Sequence, residues 1–333
     1  MKGILLVNLG SPDSTSVKDV RKYLREFLMD EYVIDVPYLL RKFLIECIIL
    51  PFRPKKSAEA YSQIWWKEGS PLVTISKRVA EKVKQKTNIS VALAMRYGNP
   101  SIKNGIKELV NQGVTEILVY SLYPHYAMSS TKTVEEKAKD IQQKLYPNIT
   151  LQFNKPFYNK PNYIKALSTS IKEHLPSEFD CLLFSYHGLP ERHIRKTDPN
   201  GTCKLGNCCF GEDLPSHSTC YRHQTYKTTE LVRQELDLPK AKIYQSFQSR
   251  LGNDPWLKPA TDKIFEEFPQ KGKKKIAVVA PAFVSDCLET LEELQMRGKE
   301  DFMAAGGEEF IYIPCMNESE LWIDFLIEEI SHF

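Results

Sequence analysis

His187 is the first residue whose type and position could carry out chemistry. It lies in the motif 185–190, which directly follows the apolar run 181–184, and Gly188 and Pro190 behind it favour a turn that presents the side chain at a strand end. An imidazole placed there could bind a metal ion or transfer a proton. A histidine after a strand can also be a capping or core residue. The residues alone therefore mark a candidate site and leave the role of the imidazole open.

A row of carboxylates follows a second apolar run about a hundred residues later. Asp286, Glu289 and Glu293 come after the run 276–279 with i, i+3, i+7 spacing, which predicts one face of a helix. Such a row is often only a solvated surface. Because this row follows a buried strand, it could instead line a cleft, where carboxylates can strip water from a cation and accept protons. An imidazole facing it would suit a divalent metal ion.

The elements that must position these groups are short apolar runs alternating with amphipathic stretches. This alternation predicts parallel strands with helical crossovers, in two groups of four separated near 155–161. The predicted strands are 4–7, 91–94, 117–120, 151–153, 181–184, 243–247, 276–279 and 310–313. Ligands of such sheets bind at the carboxyl ends of the strands, where His187 and the carboxylate row are expected.

Composition excludes several classes of protein. The 333 residues are 42% hydrophobic and 26% charged, which predicts a folded core. A net charge of +3 is too even for a nucleic-acid-binding protein, and no apolar stretch is long enough to span a membrane. Since Met1 leads directly into a predicted strand, we expect no signal peptide and a cytoplasmic location, where stable disulfides are uncommon.

Four of the eight cysteines lie close together in a segment without apolar periodicity, 192–224. They are Cys203, Cys208, Cys209 and Cys220. Four thiolates in one loop fit an iron–sulfur cluster or a structural zinc site. The spacing lacks the paired Cys-x-x-Cys turns of a zinc ribbon, although two nearby histidines could join a mixed zinc site. A long irregular segment of this kind usually has a function or a covalent or metal staple.

Aromatic and apolar residues suggest a binding surface. The segment 33–53 is either a core helix with a surface loop or an exposed lip that guides an apolar ligand or touches a membrane surface. Tyr61, Tyr123 and Trp256 lie in aromatic motif-like stretches, and Arg96 and Tyr123 follow predicted strands. Together they favour a cleft for a flat apolar ligand, where rings can stack and Arg96 can meet an acidic group.

The chain resembles the ferrochelatase family over nearly its whole length. The matching motifs are LVNLGSP at 6–12, RKYLREFL at 21–28, Tyr61 with GSP at 69–71, MRY at 95–97, YPHY at 123–126, SYHGLP at 185–190, QSRLG at 248–252 with WL at 256–257, and DCLETLEE at 286–293. They follow in the order that the family has. The chain differs from some relatives at Cys287, where they carry histidine, and at Arg297, which interrupts the acidic face.

The resemblance implies an α/β fold with two similar domains, each a four-stranded parallel sheet flanked by helices, and a porphyrin cleft between them. The first domain would comprise 1–157 and 318–333 and carry the lip 33–53. The second would comprise 158–317 and carry the cysteine-rich loop 192–224.

The activity implied by the resemblance is insertion of Fe2+ into protoporphyrin IX with release of two protons. His187 and Glu289 would be catalytic, and both would handle the metal together with Glu293. The positions that match the family's porphyrin pocket are Leu9, Tyr61, Ser70, Arg96, Tyr97, Tyr123 and Trp256.

Some bacterial relatives with a similar internal loop carry a [2Fe-2S] cluster, so the resemblance implies one on the four clustered cysteines, with structural Zn2+ as the alternative. The lip could make peripheral contact with a membrane. Three other activities stay open: insertion of iron into coproporphyrin III, insertion of cobalt into a tetrapyrrole, and a redox sensor or carrier built on the cysteine loop. The sequence does not determine the oligomeric state.

Overall fold

The computed structural model describes residues 1–198, 200–203, 205–211, 214–250, 252 and 254–333. The remaining positions are Pro199, Lys204, Glu212 and Asp213 of the segment 192–224, and Leu251 and Asn253. Leu251 of the motif at 248–252 therefore lies outside the described residues. The chain divides into two compact units. The first comprises Met1–Tyr123, Met128–Lys155 and Leu326–Phe333, and the second comprises Pro124–Ala127 and Pro156–Phe325.

Each unit is built on a four-stranded, fully parallel sheet. The strands of the first unit are β1 (Lys2–Ser11), β2 (Ser90–Gly98), β3 (Glu116–Ser121) and β4 (Thr150–Phe153). Those of the second are β5 (Cys181–His187), β6 (Ile243–Gln248), β7 (Lys275–Val279) and β8 (Glu309–Ile313). The order is β2-β1-β3-β4 in one sheet and β6-β5-β7-β8 in the other. The eight predicted strands and their parallel pairing are confirmed.

Helices connect the strands of both units. The α-helices of the described residues are α1 (Val17–Leu28), α2 (Tyr38–Phe43), α3 (Arg53–Ile64), α4 (Pro71–Lys86), α5 (Ile102–Asn111), α6 (Thr133–Leu145), α7 (Pro161–His174), α8 (Glu191–Lys196), α9 (Tyr221–Glu235), α10 (Thr261–Gln270), α11 (Leu288–Thr290), α12 (Lys299–Ala304) and α13 (Glu320–Ser331). Within the described part of the chain, three segments are π-helical: Leu44–Ile49, Met128–Lys132 and Leu291–Gly298. Short 3-10 turns span Asn207–Cys209, Pro215–Ser218 and Lys240–Lys242.

The central strands are apolar because helices cover both faces of a parallel sheet. In the first unit Leu5 and Val7 of β1 pack with Ile106 of α5 and Val134 of α6. Of the described helices, α1 and α5 begin where a serine side chain accepts a backbone N–H, Ser16 from Asp19 and Ser101 from Asn104. The apolar runs that predicted strands are thus the runs that lie between two helical layers.

Two segments have more helix than the sequence predicted. The segment 192–224 begins inside α8 and ends inside α9. The helix α8 is too short to show periodicity in the sequence, but its Ile194 is buried in the second unit. The segment 33–53 contains α2 and the π-helical Leu44–Ile49, and many of its large apolar side chains are exposed. Among the described residues, no helix combines the length and apolarity that crossing a membrane requires.

Candidate active site

His187 is the last residue of β5, and the backbone behind it packs tightly against β6. The Gly188 N–H donates to the carbonyl oxygen of Gln248 at 2.8 Å. A Cβ at Gly188 would lie 2.7 Å from that same oxygen, so a side chain at this position would force the two strands apart. The turn continues through a hydrogen bond of 3.0 Å from Leu257 N to Leu189 O. Glycine is therefore what lets the chain leave β5 with His187 held at the strand end.

The hydrogen bonds of His187 assign its tautomer. Its Nδ1 lies 2.7 Å from the Gly188 carbonyl oxygen, which can only accept, so Nδ1 carries the proton and Nε2 has the lone pair. Burial lowers the pKa of His187, and the charge of Glu289 and the Gly188 carbonyl oppose that shift. The Tyr221 hydroxyl donates to the His187 carbonyl oxygen at 2.9 Å and holds the backbone. The imidazole is therefore a neutral base near pH 7.

Gln248 ties the end of β5 to the helix that carries the carboxylates. Its side-chain oxygen accepts from the Ser185 hydroxyl at 2.8 Å, and its amide donates to the Glu289 carbonyl oxygen at 2.9 Å. Glu289 is in α11, and its charge acts on His187 and on Glu293. Gln248 is not among the predicted site residues, although it lies inside the motif at 248–252. Gln248 is buried at the end of β6 beside β5, and this burial is visible only in the folded structure.

Glu293 lies in the π-helical segment that follows α11. Burial raises the pKa of Glu293 to about 7, and the negative charge of Glu289 adds to the rise. Ser249 donates a hydrogen bond to its carboxylate, and an Arg297 guanidinium nitrogen lies 3.7 Å from Oε1; both contacts lower the pKa. Ser249 has a φ of 64°, which is uncommon for a residue with a Cβ. Glu293 can therefore exchange a proton near neutral pH.

Asp286 does not share a helical face with Glu289 and Glu293, so that prediction is wrong. Asp286 is buried before the first helical turn, and its carboxylate accepts from three side chains. The donors and distances are Tyr312 at 2.6 Å, Asn317 at 2.7 Å and Thr290 at 3.0 Å. The reason is that α11 begins only at Leu288 and passes into a π-helix, a feature frequent at functional sites. Asp286 therefore anchors the helix start.

Trp256 lies beside the turn that follows His187. It forms a β-bridge with Pro190, and a Cβ at Gly188 would lie 3.3 Å from its ring. Trp256 and Glu293 both line a cavity of about 1010 Å³ in the second unit, together with Arg297. An aromatic ring and a titratable carboxylate thus face one space.

The predicted binding residues of the first unit centre on Arg96 in β2. Its guanidinium forms an ion pair with Asp30, and it donates to the Thr133 hydroxyl at 2.7 Å. The Tyr97 hydroxyl donates to Asp30 at 2.9 Å, and the guanidinium lies 4.3 Å from the Tyr97 ring centroid. The acidic partner of Arg96 is therefore supplied by the protein itself. Asp30 was missed because it lies 66 positions away in sequence.

The other four predicted residues of the first unit lie on separate elements. Leu9 is partly buried in β1, and Ser70 is buried at the start of α4. Tyr61 of α3 is buried with its ring 6.1 Å from that of Trp65, and Tyr123 packs against the unit's apolar core.

The four clustered cysteines form two thiol pairs. Cys209 lies within hydrogen-bonding reach of Cys220, and Cys203 within reach of Cys208. Each pair also affects the pKa values of the other, so the four sulfurs share one neighbourhood. In the part of the chain that the structure describes, no group of three or more His, Cys, Asp or Glu side chains has the arrangement of a metal site.

Solved structures place this fold in a known class. SirB from Bacillus subtilis with Fe3+ matches with a TM-score of 0.57 at 13% identity, covering 99% of this chain and 94% of that one. The sirohydrochlorin chelatase SirB from B. subtilis subspecies spizizenii in complex with cobalt matches with a TM-score of 0.55 at 12% identity and the same coverage. The chain is thus an α/β protein of the chelatase-like fold.

Sequence comparison gives the family. The ferrochelatase family model matches residues 1–332. Ferrochelatase of Stutzerimonas stutzeri is 46% identical over 99% of this chain and 97% of its own length. Ferrochelatase of Pseudomonas fluorescens Pf0-1 is 48% identical over 96% of this chain and 94% of its own length. The chain therefore belongs to the ferrochelatase family, whose members are metal-inserting porphyrin enzymes of heme synthesis.

Proposed function

We propose that this protein inserts Fe2+ into protoporphyrin IX to form protoheme. The observation that carries the proposal is the pairing of a neutral imidazole, His187, with two carboxylates, one of which has a pKa of about 7. A free-base porphyrin holds two N–H protons that leave as Fe2+ enters, so the site must accept protons near neutral pH. A base and a titratable acid that both interact with Glu289 meet that requirement.

The roles follow from the protonation states. The Nε2 lone pair of His187 can take a pyrrole proton, after which the imidazolium is stabilised by the charge of Glu289. Glu289 performs the complementary task of guiding Fe2+ and receiving the second proton. Glu293 continues the acidic path and passes protons to solvent, because its protonated and ionised forms are both populated near pH 7.

Porphyrin binding is proposed for the residues that match the family's pocket. Apolar and aromatic side chains such as Leu9 and Trp256 would contact the macrocycle, and Arg96 would attract its propionates. Because Arg96 already pairs with Asp30, its guanidinium is held in one orientation and needs little reordering on binding. Tyr61, Ser70, Tyr97 and Tyr123 would complete the pocket.

Anaerobic metal-insertion assays test this proposal and its alternatives. The protein is incubated with Fe2+ and protoporphyrin IX, and the Soret band is followed. Faster insertion of Fe2+ into protoporphyrin IX than into coproporphyrin III supports the proposal. Faster insertion into coproporphyrin III would identify that more carboxylated porphyrin as the substrate. Insertion of Co2+ but not Fe2+ would identify a cobalt chelatase. No insertion of any metal, with a redox-active cysteine site, would favour a redox sensor.

We also propose that Cys203, Cys208, Cys209 and Cys220 hold a [2Fe-2S] cluster. Two observations support this assignment: the four thiols lie in two adjacent pairs, as two irons with two thiolates each require, and an Arg222 nitrogen lies 3.1 Å from the Cys209 sulfur, which suits a thiolate. The cluster would supply an electron-transfer centre and a staple for the segment 192–224.

Metal analysis of anaerobically purified protein distinguishes the cluster from zinc. We expect visible absorption apart from any porphyrin, about two irons per chain, and loss of both on replacing any one of the four cysteines by serine, because four ligands leave no spare. Cys47→Ser is the control, since Cys47 is exposed and lies in the other unit. A colourless protein with one zinc per chain would replace the cluster by structural Zn2+.

Peripheral contact with a membrane is proposed for the segment 33–53. Leu39, Phe43 and Phe52 expose 79%, 58% and 78% of their surface, and Lys42 and Arg53 stand beside them. Exposed apolar side chains with flanking basic residues favour an anionic lipid surface.

A further inference from the structure

A cluster of four polar side chains is buried at the carboxyl ends of β5 and β6. Its members are Ser185, Ser246, Gln248 and Thr261, and each exposes 5% or less of its surface. The polar cluster spans β5, β6 and the first residue of α10. Buried polar groups destabilise a fold unless they are hydrogen-bonded, so the contacts among these four side chains determine what the cluster does.

The hydrogen bonds of the polar cluster run in one direction. The Glu289 carbonyl oxygen can only accept, so the Gln248 amide nitrogen donates to it at 2.9 Å and the amide oxygen faces Ser185 at 2.8 Å. The single hydroxyl proton of Ser185 goes to that oxygen, so Ser185 accepts from Thr261 at 2.9 Å. The Thr261 proton is then used as well, and Ser246 donates to Thr261 at 2.8 Å. The Gln248 amide therefore has one orientation.

Gln248 also contacts the backbone beside the other catalytic candidate. It is the register partner of His187 in the pairing of β5 with β6, and its carbonyl oxygen accepts from the Gly188 N–H at 2.8 Å. Glu289, on the other side, lies in α11, which spans only Leu288–Thr290. Because a helix this short is held weakly by its own hydrogen bonds, the contact with Gln248 is needed to fix it.

We propose that Gln248 is a positioning residue, whose oriented amide sets the place of Glu289 relative to His187 and so supports the metal-insertion step. The inference rests on the function proposed above. Catalytic groups must be held within about 0.5 Å of their productive geometry by neighbours whose own conformations are fixed. Ser185, with the two hydroxyls behind it, fixes the amide in this way.

Steady-state kinetics of Gln248→Met test the inference. Methionine keeps the length and burial of the side chain but cannot donate to the Glu289 carbonyl oxygen. Since a misplacement of about 1 Å can cost up to about a hundredfold, kcat should fall about ten- to a hundredfold while the porphyrin KM stays within about twofold. Gln245→Met is the matched control, because Gln245 is also in β6 but its amide donates to Thr225 of α9 at 2.9 Å. It should leave kcat unchanged.

Amide hydrogen exchange of the same variants separates this inference from the proposed function, because exchange needs no substrate. The segment 288–294 should exchange about fivefold faster in Gln248→Met than in the wild type, as expected for one lost hydrogen bond, and at the wild-type rate in Gln245→Met. A wild type that inserts no Fe2+ would overturn the proposed function. Exchange then decides whether Gln248 holds α11: faster exchange supports this, and an equal rate overturns it.

The kinetic results can also overturn the role of Gln248 while the proposed function stands. They would do so if kcat were equal in Gln248→Met and the wild type, or if both methionine variants lost activity equally. If Gln248→Met does not fold, Ser185→Ala decides, because it removes the donor that orients the amide. A kcat lowered about two- to tenfold at unchanged KM supports the inference, and an unchanged kcat overturns it.

Discussion

The strands β1 and β5 each stand second in the order of their sheets. At the end of each of these two strands, a glycine lies close to the backbone of the neighbouring strand. A Cβ at Gly10 of β1 would lie 1.8 Å from the Tyr97 carbonyl oxygen of β2, and one at Gly188 would lie 2.7 Å from the Gln248 carbonyl oxygen of β6. The same strand order thus brings the same close approach of backbone at both sites. The side chains that follow are used in different ways.

The polar groups of the first unit satisfy each other. Arg96 is paired with Asp30, which also accepts from Tyr97 and Thr133. In the second unit, burial instead pushes His187 and Glu293 toward their neutral forms, and the charge of Glu289 adds to this shift for Glu293. A saturated network favours a rigid binding surface, whereas perturbed titration favours proton transfer. One topology can therefore carry a binding role in one unit and a chemical role in the other.

The largest expected effect comes from the proposed acid–base pair of the second unit, His187 and Glu289. His187→Ala and Glu289→Gln should each lower kcat for metal insertion by about 10²–10⁴-fold, the usual contribution of a general acid or base, while porphyrin quenching of tryptophan fluorescence persists. His174→Ala, in the last turn of α7, is the control. A loss of less than about tenfold in both variants would remove the proposed roles and with them the contrast between the units.

Breaking the ion pair of Arg96 in the first unit should lower the free energy of unfolding rather than kcat. Asp30→Asn leaves the buried Arg96 charge without its partner, and breaking a buried ion pair typically costs about 3–5 kcal/mol. Urea unfolding monitored by fluorescence measures this change. Lys22→Gln, which breaks the exposed pair with Asp13, should change stability by less than about 1 kcal/mol. Equal effects of the two variants would contradict a buried network at Arg96.

The pH dependence of stability should sharpen the contrast further. The pKa of Glu293 is raised from 4.5 to about 7 in the folded protein. Between pH 4.5 and pH 7, Glu293 therefore holds its proton in the folded state but not in the unfolded state. Stability contributed by this group is therefore present at low pH and is lost as pH rises through 7, by roughly 2–3 kcal/mol. Glu293→Gln should abolish that loss.

Unfolding free energies of both proteins at pH 5 and pH 8 measure the effect. The difference between Glu293→Gln and the wild type should grow in favour of the variant at pH 8. A difference that is the same at both pH values would show that Glu293 titrates as an exposed carboxylate.

The smallest expected change in stability is in the exposed segment 33–53. Leu39→Glu should alter the unfolding free energy by less than about 0.5 kcal/mol, because Leu39 is 79% exposed. It should nevertheless reduce co-sedimentation with vesicles containing anionic lipid. Leu145→Glu, at an exposed leucine of α6 in the same unit, is the control and should leave vesicle binding unchanged. Equal binding by both variants would argue against membrane contact through this segment.

The sequence by itself determined the eight strands and where each catalytic candidate stands along them. Runs such as 181–184 predict strands because a parallel strand covered on both faces must be apolar throughout. His187 and Glu289 could be found because each follows such a run within a short distance, where strand ends expose side chains to ligands.

The tertiary structure alone decided the partners and protonation states of these residues. Asp30 meets Arg96 across 66 positions, and Asp286 meets Asn317 across 31, and no local pattern encodes such distances. The same holds for Glu293, whose pKa rises because other elements bury it beside Glu289. Periodicity records which face of an element is buried, but burial of a charge and the identity of its partner depend on chain segments that meet only after folding.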